Sequence, residues 1–208
     1  FLSSSAIRER EVGILIELSS YPIFISNLDT LESTSFDDKN GQIMTASQRI
    51  VTNFDHVKNV YSRSHHLSEF LTSIDALFND KNGNLVFVEF KNGFLDKKEQ
   101  YCLQKKLYDS ILILLDTTSE PFSSFREQSK FILVYNDSAN SSNRDPDFLH
   151  KMEARNGSTP SLDCIAKSFS SFAHTEYVCF GLKPFCNYCF KEVHTYTQSE
   201  FEHYLETL

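Results

Sequence analysis

Hydrophobic and polar positions alternate with different periods along this 208-residue chain, and the period decides which element each stretch predicts. After a charged patch (Arg8, Glu9, Arg10, Glu11), the apolar run from Val12 to Leu18 is equally compatible with a helix and a buried strand. Residues 27–45 are rich in Ser, Thr, Asp and Asn and include Asn40-Gly41, so they read as a loop. Thr45 followed by Gln48 is a capping-box pattern. It predicts a helix carrying Ile50, Val51, Phe54, Val57 and Val60 at spacings of three and four.

The centre of the chain is sharper. Ser73–Phe78 is a short apolar strand candidate, Asn79–Asn84 is turn chemistry around Asn82-Gly83, and Leu85–Phe90 is a run of strong β-formers. Two such strands joined through Asn-Gly predict a hairpin, which Asn92-Gly93 then ends. A helix is expected from Lys97 to about Asp116, with Leu103, Leu107, Ile111 and Leu114 on one face. The apolar run Phe131–Tyr135 predicts a buried strand, and residues 136–147 a loop. A helix near 161–172, strands near 176–181 and 189–196 and a last helix over Gln198–Leu205 complete the expectation. With no internal repeat and no dividing linker, residues 1–208 read as one α/β domain, a mixed sheet flanked by helices.

Composition narrows the function. Twenty Lys and Arg against 28 Asp and Glu give a net charge of −8, which excludes a nucleic-acid binder working by bulk positive charge. No apolar run approaches the roughly 20 residues of a membrane span. The stretches Val12–Ile16 and Pro22–Ile25 are too short and too interrupted by charge for a signal peptide. Because the first residue is Phe1 rather than Met, an upstream start or trimming is expected. Nineteen Phe and nine Tyr, without Trp, make aromatic rings the main core material. Five cysteines, an odd count, read as reduced thiols and point to the cytoplasm.

Three charged residues stand out by position. Asp75 lies in the first hairpin strand, Glu89 and Lys91 at the end of the second. Side chains alternate along a strand, so Glu89 and Lys91 share a face, and the hairpin can bring Asp75 beside them. Two carboxylates with an ammonium suit a hard divalent cation, Mg²⁺ or Mn²⁺, which takes oxygen ligands from carboxylates, phosphate and water. Such an ion polarises a phosphate and acidifies water, while Lys91 orients that water or stabilises the developing charge. Moreover, Glu89 interrupts an apolar strand, where a carboxylate is costly unless something compensates it.

Asp75, thirteen intervening residues and Glu89-Phe90-Lys91 resemble the signature of the PD-(D/E)XK nuclease superfamily. Ile74 stands where that signature often has Pro. The resemblance covers about residues 45–136 and implies a restriction-endonuclease-like αβββαβ core, one strand of which is not visible before Asp75. It implies a metal-dependent phosphodiesterase in which Asp75, Glu89 and the Phe90 carbonyl bind metal and Lys91 assists catalysis. Gln104 and Tyr108, one helical turn apart, are similar to the Gln-x-x-x-Tyr element of RecB-like members and would contact substrate or support the site. The implied partner is nucleic acid, DNA before RNA, in bacterial defence, restriction or DNA processing. A protein partner or a second copy of the chain is a further expectation.

Other candidates compete with this reading. Lys91, Lys97, Lys98, Lys105 and Lys106 would form either a local positive lane or a solvated helix face. Cys186-x-x-Cys189 with Cys179 and His194 has the donors of a zinc site, although its spacing is unfamiliar and core thiols are the plainer reading. His65-His66 near the cleft, and Asp55 as an additional acid, are set against exposed loop and helix positions. The rival functions are a catalytically silent nuclease-fold subunit of a larger complex and a zinc-stabilised interaction domain.

Overall fold

A computed structural model describes residues 15–67, 71–140 and 178–208. Its centre is a six-stranded mixed sheet made of β1 (Leu28–Thr30), β4 (Ile50–Asn53), β5 (Ala76–Asn79), β6 (Leu85–Lys91), β7 (Ser129–Tyr135) and β8 (Glu192–Thr197), side by side in that order. The pairs from β1 to β6 are antiparallel, whereas β6–β7 and β7–β8 are parallel. A separate two-stranded hairpin comprises β2 (Phe36–Asp37) and β3 (Gln42–Ile43). Seven α-helices occur among the described residues: α1 (Pro22–Ile25), α2 (Leu31–Thr34), α3 (Phe54–Ser64), α4 (Lys97–Thr118), α5 (Phe122–Glu127), α6 (Asp137–Asn140) and α7 (Gln198–Glu206). None is long and apolar enough to cross a membrane.

Strand alternation divides the core in two. On one face Leu77, Leu85, Phe87, Phe131 and Leu133 pack with Phe54 and Val57 of α3 and with Leu103, Leu107, Ile111 and Leu114 of α4. The other face puts Phe78, Val86, Val88, Phe90, Ile132 and Val134 against Leu31, Met44 and Phe201. Rings knit both layers: Phe87 meets Phe125 and Phe190 edge-on, and Phe90 meets Phe201 in the same way.

The expected hairpin, long helix, central strand and terminal helix are present as β5–β6, α4, β7 and α7. The helix expected from Thr45 is not. Ile50–Asn53 is a strand, and α3 begins at Phe54, with the Asn53 side chain accepting the His56 N–H at 3.2 Å as its cap. The Thr45 hydroxyl instead donates to Glu202 at 2.6 Å, and the Gln48 amide goes to Glu32. Ile50, Val51 and Thr52 are β-branched and fit a strand with neighbours on both edges. Within the expected loop 27–45, pairing to β4 makes β1, and Thr30 caps α2. Of the ambiguous run Val12–Leu18, residues 12–14 lie outside the described residues and 15–17 are neither helix nor strand; a single 3₁₀ turn, Leu18–Ser20, begins at its end and is followed by α1. Residues 178–181 are loop and turn rather than strand, and the helix expected near 161–172 lies outside the described residues.

Candidate active site

The turn between β5 and β6 sets the position of both acids. The Asp80 carboxylate accepts the backbone N–H groups of Asn82 and Asn84, each at 2.9 Å, and Gly83 takes φ +79°. This local closure fixes the register Ala76↔Val88 and Leu77↔Phe87. One residue ahead of β5, the Asp75 N–H donates to the Val88 carbonyl at 3.2 Å, so Asp75 still lies alongside β6. Its carboxylate accepts the Phe90 N–H at 2.6 Å.

Glu89 is fully buried on the helix-packed face of β6, the face shared by Leu85 and Phe87. It is held by Lys106 of α4, whose ammonium lies 2.7 Å from Glu89 Oε1 and 3.4 Å from Asp75 Oδ1. Lys91 approaches the same Glu89 Oε1 at 3.4 Å and Glu99 Oε2 at 3.5 Å. Two ammonium groups therefore converge on one oxygen of Glu89, while Oε2 is buried with no hydrogen-bond partner. Asp75, Glu89 and Lys91 are brought together, as the strand pattern required.

Burial pushes the Asp75 carboxyl up to about 7, and the neighbouring charge of Glu89 adds to this; Lys106 and the Phe90 N–H pull the other way. For the Lys106 ammonium, burial works downward, but the charges of Glu89 and Asp75 outweigh it and hold it above the usual lysine range.

A cleft of about 890 Å³ opens beside these groups, lined by Asn53, Asp55, Asp75, Phe90, Lys91 and Glu99 and walled on its far side by the β2–β3 hairpin. Asn92 ties that hairpin to the end of β6 by donating to Asp37 at 3.0 Å and Gln42 at 3.2 Å. Glu89 and Lys106 are not among the lining residues. Asp55 reaches the cleft and accepts from the Ser73 hydroxyl at 2.6 Å and Lys58 at 2.9 Å. Against the upward push of burial, those two bonds hold its carboxyl below the usual range.

Among the described residues no group of three or more His, Cys, Asp or Glu side chains forms a complete metal cage. A smaller set is available for a hard cation. Ladder bonds from Leu85 N to Gln128 O and from Asn136 N to Lys91 O show that odd residues of β6 bond β7. Even ones turn toward β5, which leaves the Phe90 carbonyl on the Asp75 side. Asp75 Oδ1, the partnerless Glu89 Oε2 and that carbonyl are the hard oxygen donors Mg²⁺ or Mn²⁺ prefers. The orphaned, buried carboxylate oxygen is what fits this group to the site, because such an atom costs free energy until something binds it.

Other candidates fall elsewhere. Gln104 and Tyr108 lie nearly half a helical turn around α4 from Lys106, and the Tyr108 ring packs 5.5 Å from that of Phe185. His65 stacks on Tyr61 at 4.1 Å and approaches Asp116 at 3.6 Å, at the end of α3 remote from Asn53. His66 is exposed and takes φ +54°. The zinc alternative gains no support, and the plainer reading as core thiols holds for Cys189, which is buried with its thiol pushed up to about 11 by burial, while Cys179 and Cys186 are half-buried. His194 instead stacks on Tyr196 and approaches Glu192 at 3.4 Å, and none of these groups forms a metal cluster. In the lysine lane, Lys91, Lys105 and Lys106 are each engaged by carboxylates, and only Lys97 and Lys98 stand as exposed charges at the start of α4.

The residue that sequence reasoning undervalued is Lys106. Leu103, Lys106 and Ser110 follow the helical spacing of the buried stripe of α4, and a lysine on such a stripe signals a buried carboxylate opposite. Compared with known proteins, the chain matches no family model, no curated protein and no solved structure.

Proposed function

We propose that this chain is a divalent-metal-dependent nuclease of PD-(D/E)XK type, hydrolysing phosphodiester bonds of nucleic acid, DNA before RNA. The observation that carries the reading is Glu89: a carboxylate buried at the end of an interior strand, beside Asp75, with one oxygen left without a partner. The order β4, β5, β6, α4, β7, three antiparallel strands followed by a helix and a parallel strand, supports it. In this reading β4 is the strand not visible in the sequence, and α3 sits between β4 and β5 instead of ahead of them.

Asp75, Glu89 and the Phe90 carbonyl would hold the ion. When bound, Mg²⁺ neutralises phosphate charge and acidifies a water molecule. Lys91 shares the Glu89 face of β6 and lines the cleft, so its ammonium is placed to orient the attacking water and to stabilise charge as phosphorus is attacked. The Phe90 N–H holds Asp75 in place through Oδ2, and Oδ1, 3.4 Å from the Lys106 ammonium, is the oxygen that would be shared with the ion.

The test is cleavage of single- and double-stranded DNA and RNA with Mg²⁺ or Mn²⁺. Asp75→Asn and Glu89→Gln should abolish cutting, whereas Lys91→Ala should keep the metal and slow the chemical step by about 10² to 10³. Variants of both acids that cut like the parent would assign the activity to a contaminant. The second reading, a nuclease-fold subunit without chemistry, is favoured by the net charge of −8 and by the pairing of Lys106 with both acids. A parent inert on every substrate, with each metal, selects it.

A further inference from the structure

Lys106 stands between the two acids that the nuclease reading assigns to the metal, and this inference rests on that reading. With both acids ionised, Asp75 and Glu89 are balanced by Lys91 and Lys106, so the four side chains sum to zero. A pair of carboxylates attracts a divalent cation strongly only while its charge is uncompensated. Here the compensation is built in, from a helix and not from the hairpin that carries the acids. Lys106 Nζ contacts Glu89 Oε1 and Asp75 Oδ1 at 2.7 and 3.4 Å, so one oxygen of each acid is already engaged by a cation of the protein itself. Glu89 and Lys106 are not among the residues lining the cleft, so Asp75 and Lys91 are the members of this group that face it.

We propose that Lys106 is a positioning residue and internal counter-cation that keeps the metal affinity of the free protein low, so that metal and nucleic-acid phosphate load together. The divalent ion adds two positive charges to a neutral site, and the phosphate of the substrate supplies the negative charge that offsets them. Lys106 meanwhile fixes the Glu89 carboxylate through Oε1, which leaves Oε2 for the ion. Metal and substrate then raise each other's affinity, and by linkage the two factors are equal.

The experiment measures Mn²⁺ binding by calorimetry and by electron paramagnetic resonance. It uses the whole chain with and without a phosphorothioate oligonucleotide that resists hydrolysis. In the parent, the oligonucleotide should tighten Mn²⁺ binding by about tenfold or more. Lys106→Met should tighten Mn²⁺ binding without oligonucleotide by a similar factor and shrink the oligonucleotide effect. Lys105→Gln, which removes a neighbouring ammonium paired to Asp109, should leave Mn²⁺ affinity unchanged. Parent binding of Mn²⁺ that is equally tight with and without oligonucleotide overturns the coupling, and this arm needs no variant to fold. Lys106→Met binding Mn²⁺ no tighter than the parent overturns the role of Lys106. Tighter Mn²⁺ binding by Lys106→Met, with no oligonucleotide effect on any form, keeps the counter-cation and removes the nuclease reading instead.

Discussion

Because a carboxylate without solvent must recover its lost hydration from fixed partners, Glu89 depends on Lys106 in a way that no surface ion pair would. Asp75 is in a different position. Its ordinary value is 3.8, and burial beside Glu89 pushes it up to about 7, so ionising it opposes folding. The stabilising effect of the neutral form is complete below about pH 4 and is lost as pH rises toward 7. Asp75→Asn cannot ionise and keeps an oxygen for the Phe90 N–H. In metal-free buffer at pH 8 it should therefore be more stable than the parent by about 2 kcal/mol, and the gain should vanish near pH 4. Urea midpoints of both proteins across that range check this, and a variant less stable than the parent at pH 8 sinks the account. At this scale Asp75, Glu89 and Lys91 were legible because strand alternation is a local rule. Lys106 was not, since its partner lies seventeen residues away across a helix–sheet contact and only the stripe through Leu103 and Ser110 hinted at it.

At the scale of elements, the β5–β6 turn determines whether the two acids meet. Gly83 takes φ +79°, and a Cβ there would lie 2.8 Å from Leu15 Cδ1. Gly83→Ala should cost at least about 1 kcal/mol, measured as a shift of the urea midpoint at constant slope. An unchanged midpoint would mean that the turn relaxes freely and does not set the register. Asp80 works beside it: hydrogen bonds from Asn82 and Asn84, with Lys130 at 3.4 Å, overcome burial and hold its carboxyl below the usual range. The stability it contributes is present above the ordinary carboxylate range and is lost as pH falls through the depressed value. Asp80→Asn should accordingly flatten the acid limb of the parent's pH–stability curve, and an identical limb would exclude the turn from acid unfolding. The hairpin, α4 and β7 were legible because their signals are contained within each segment: Asn-Gly, a 3.6-residue period, an unbroken apolar run. β1 and β4 were not. They are strands because each finds a pairing edge, and the apparent capping box at Thr45 is not realised: its hydroxyl accepts the Ser47 N–H at 3.2 Å and donates to Glu202, 157 residues away. Tertiary partners outweigh local propensity at these positions.

Over the whole molecule the two cores place the acids between layers, and charge then sets how a polyanion approaches. The chain carries −8, and three of the five lysines expected to form a positive lane already face carboxylates. Long-range attraction to nucleic acid is therefore weak, and few phosphates would release counterions on binding. This distinguishes the chain from a nuclease with a basic groove, whose affinity falls by about 10³ or more between 50 and 200 mM salt when it makes six to ten phosphate contacts. Under the proposed function, an ion held by Asp75 and Glu89 would be the main positive charge offered to the substrate, assisted by Lys91. At fixed, saturating Mg²⁺, raising monovalent salt over that range should change KM for a short DNA by less than about fivefold. Removing Mg²⁺ should weaken binding far more than adding salt does. The measurement is fluorescence anisotropy with a labelled oligonucleotide in Ca²⁺, alongside KM from cleavage in Mg²⁺. A salt slope as steep as that of a basic-groove protein would require a run of phosphate contacts on this chain, and the ion would then no longer be what brings the substrate in.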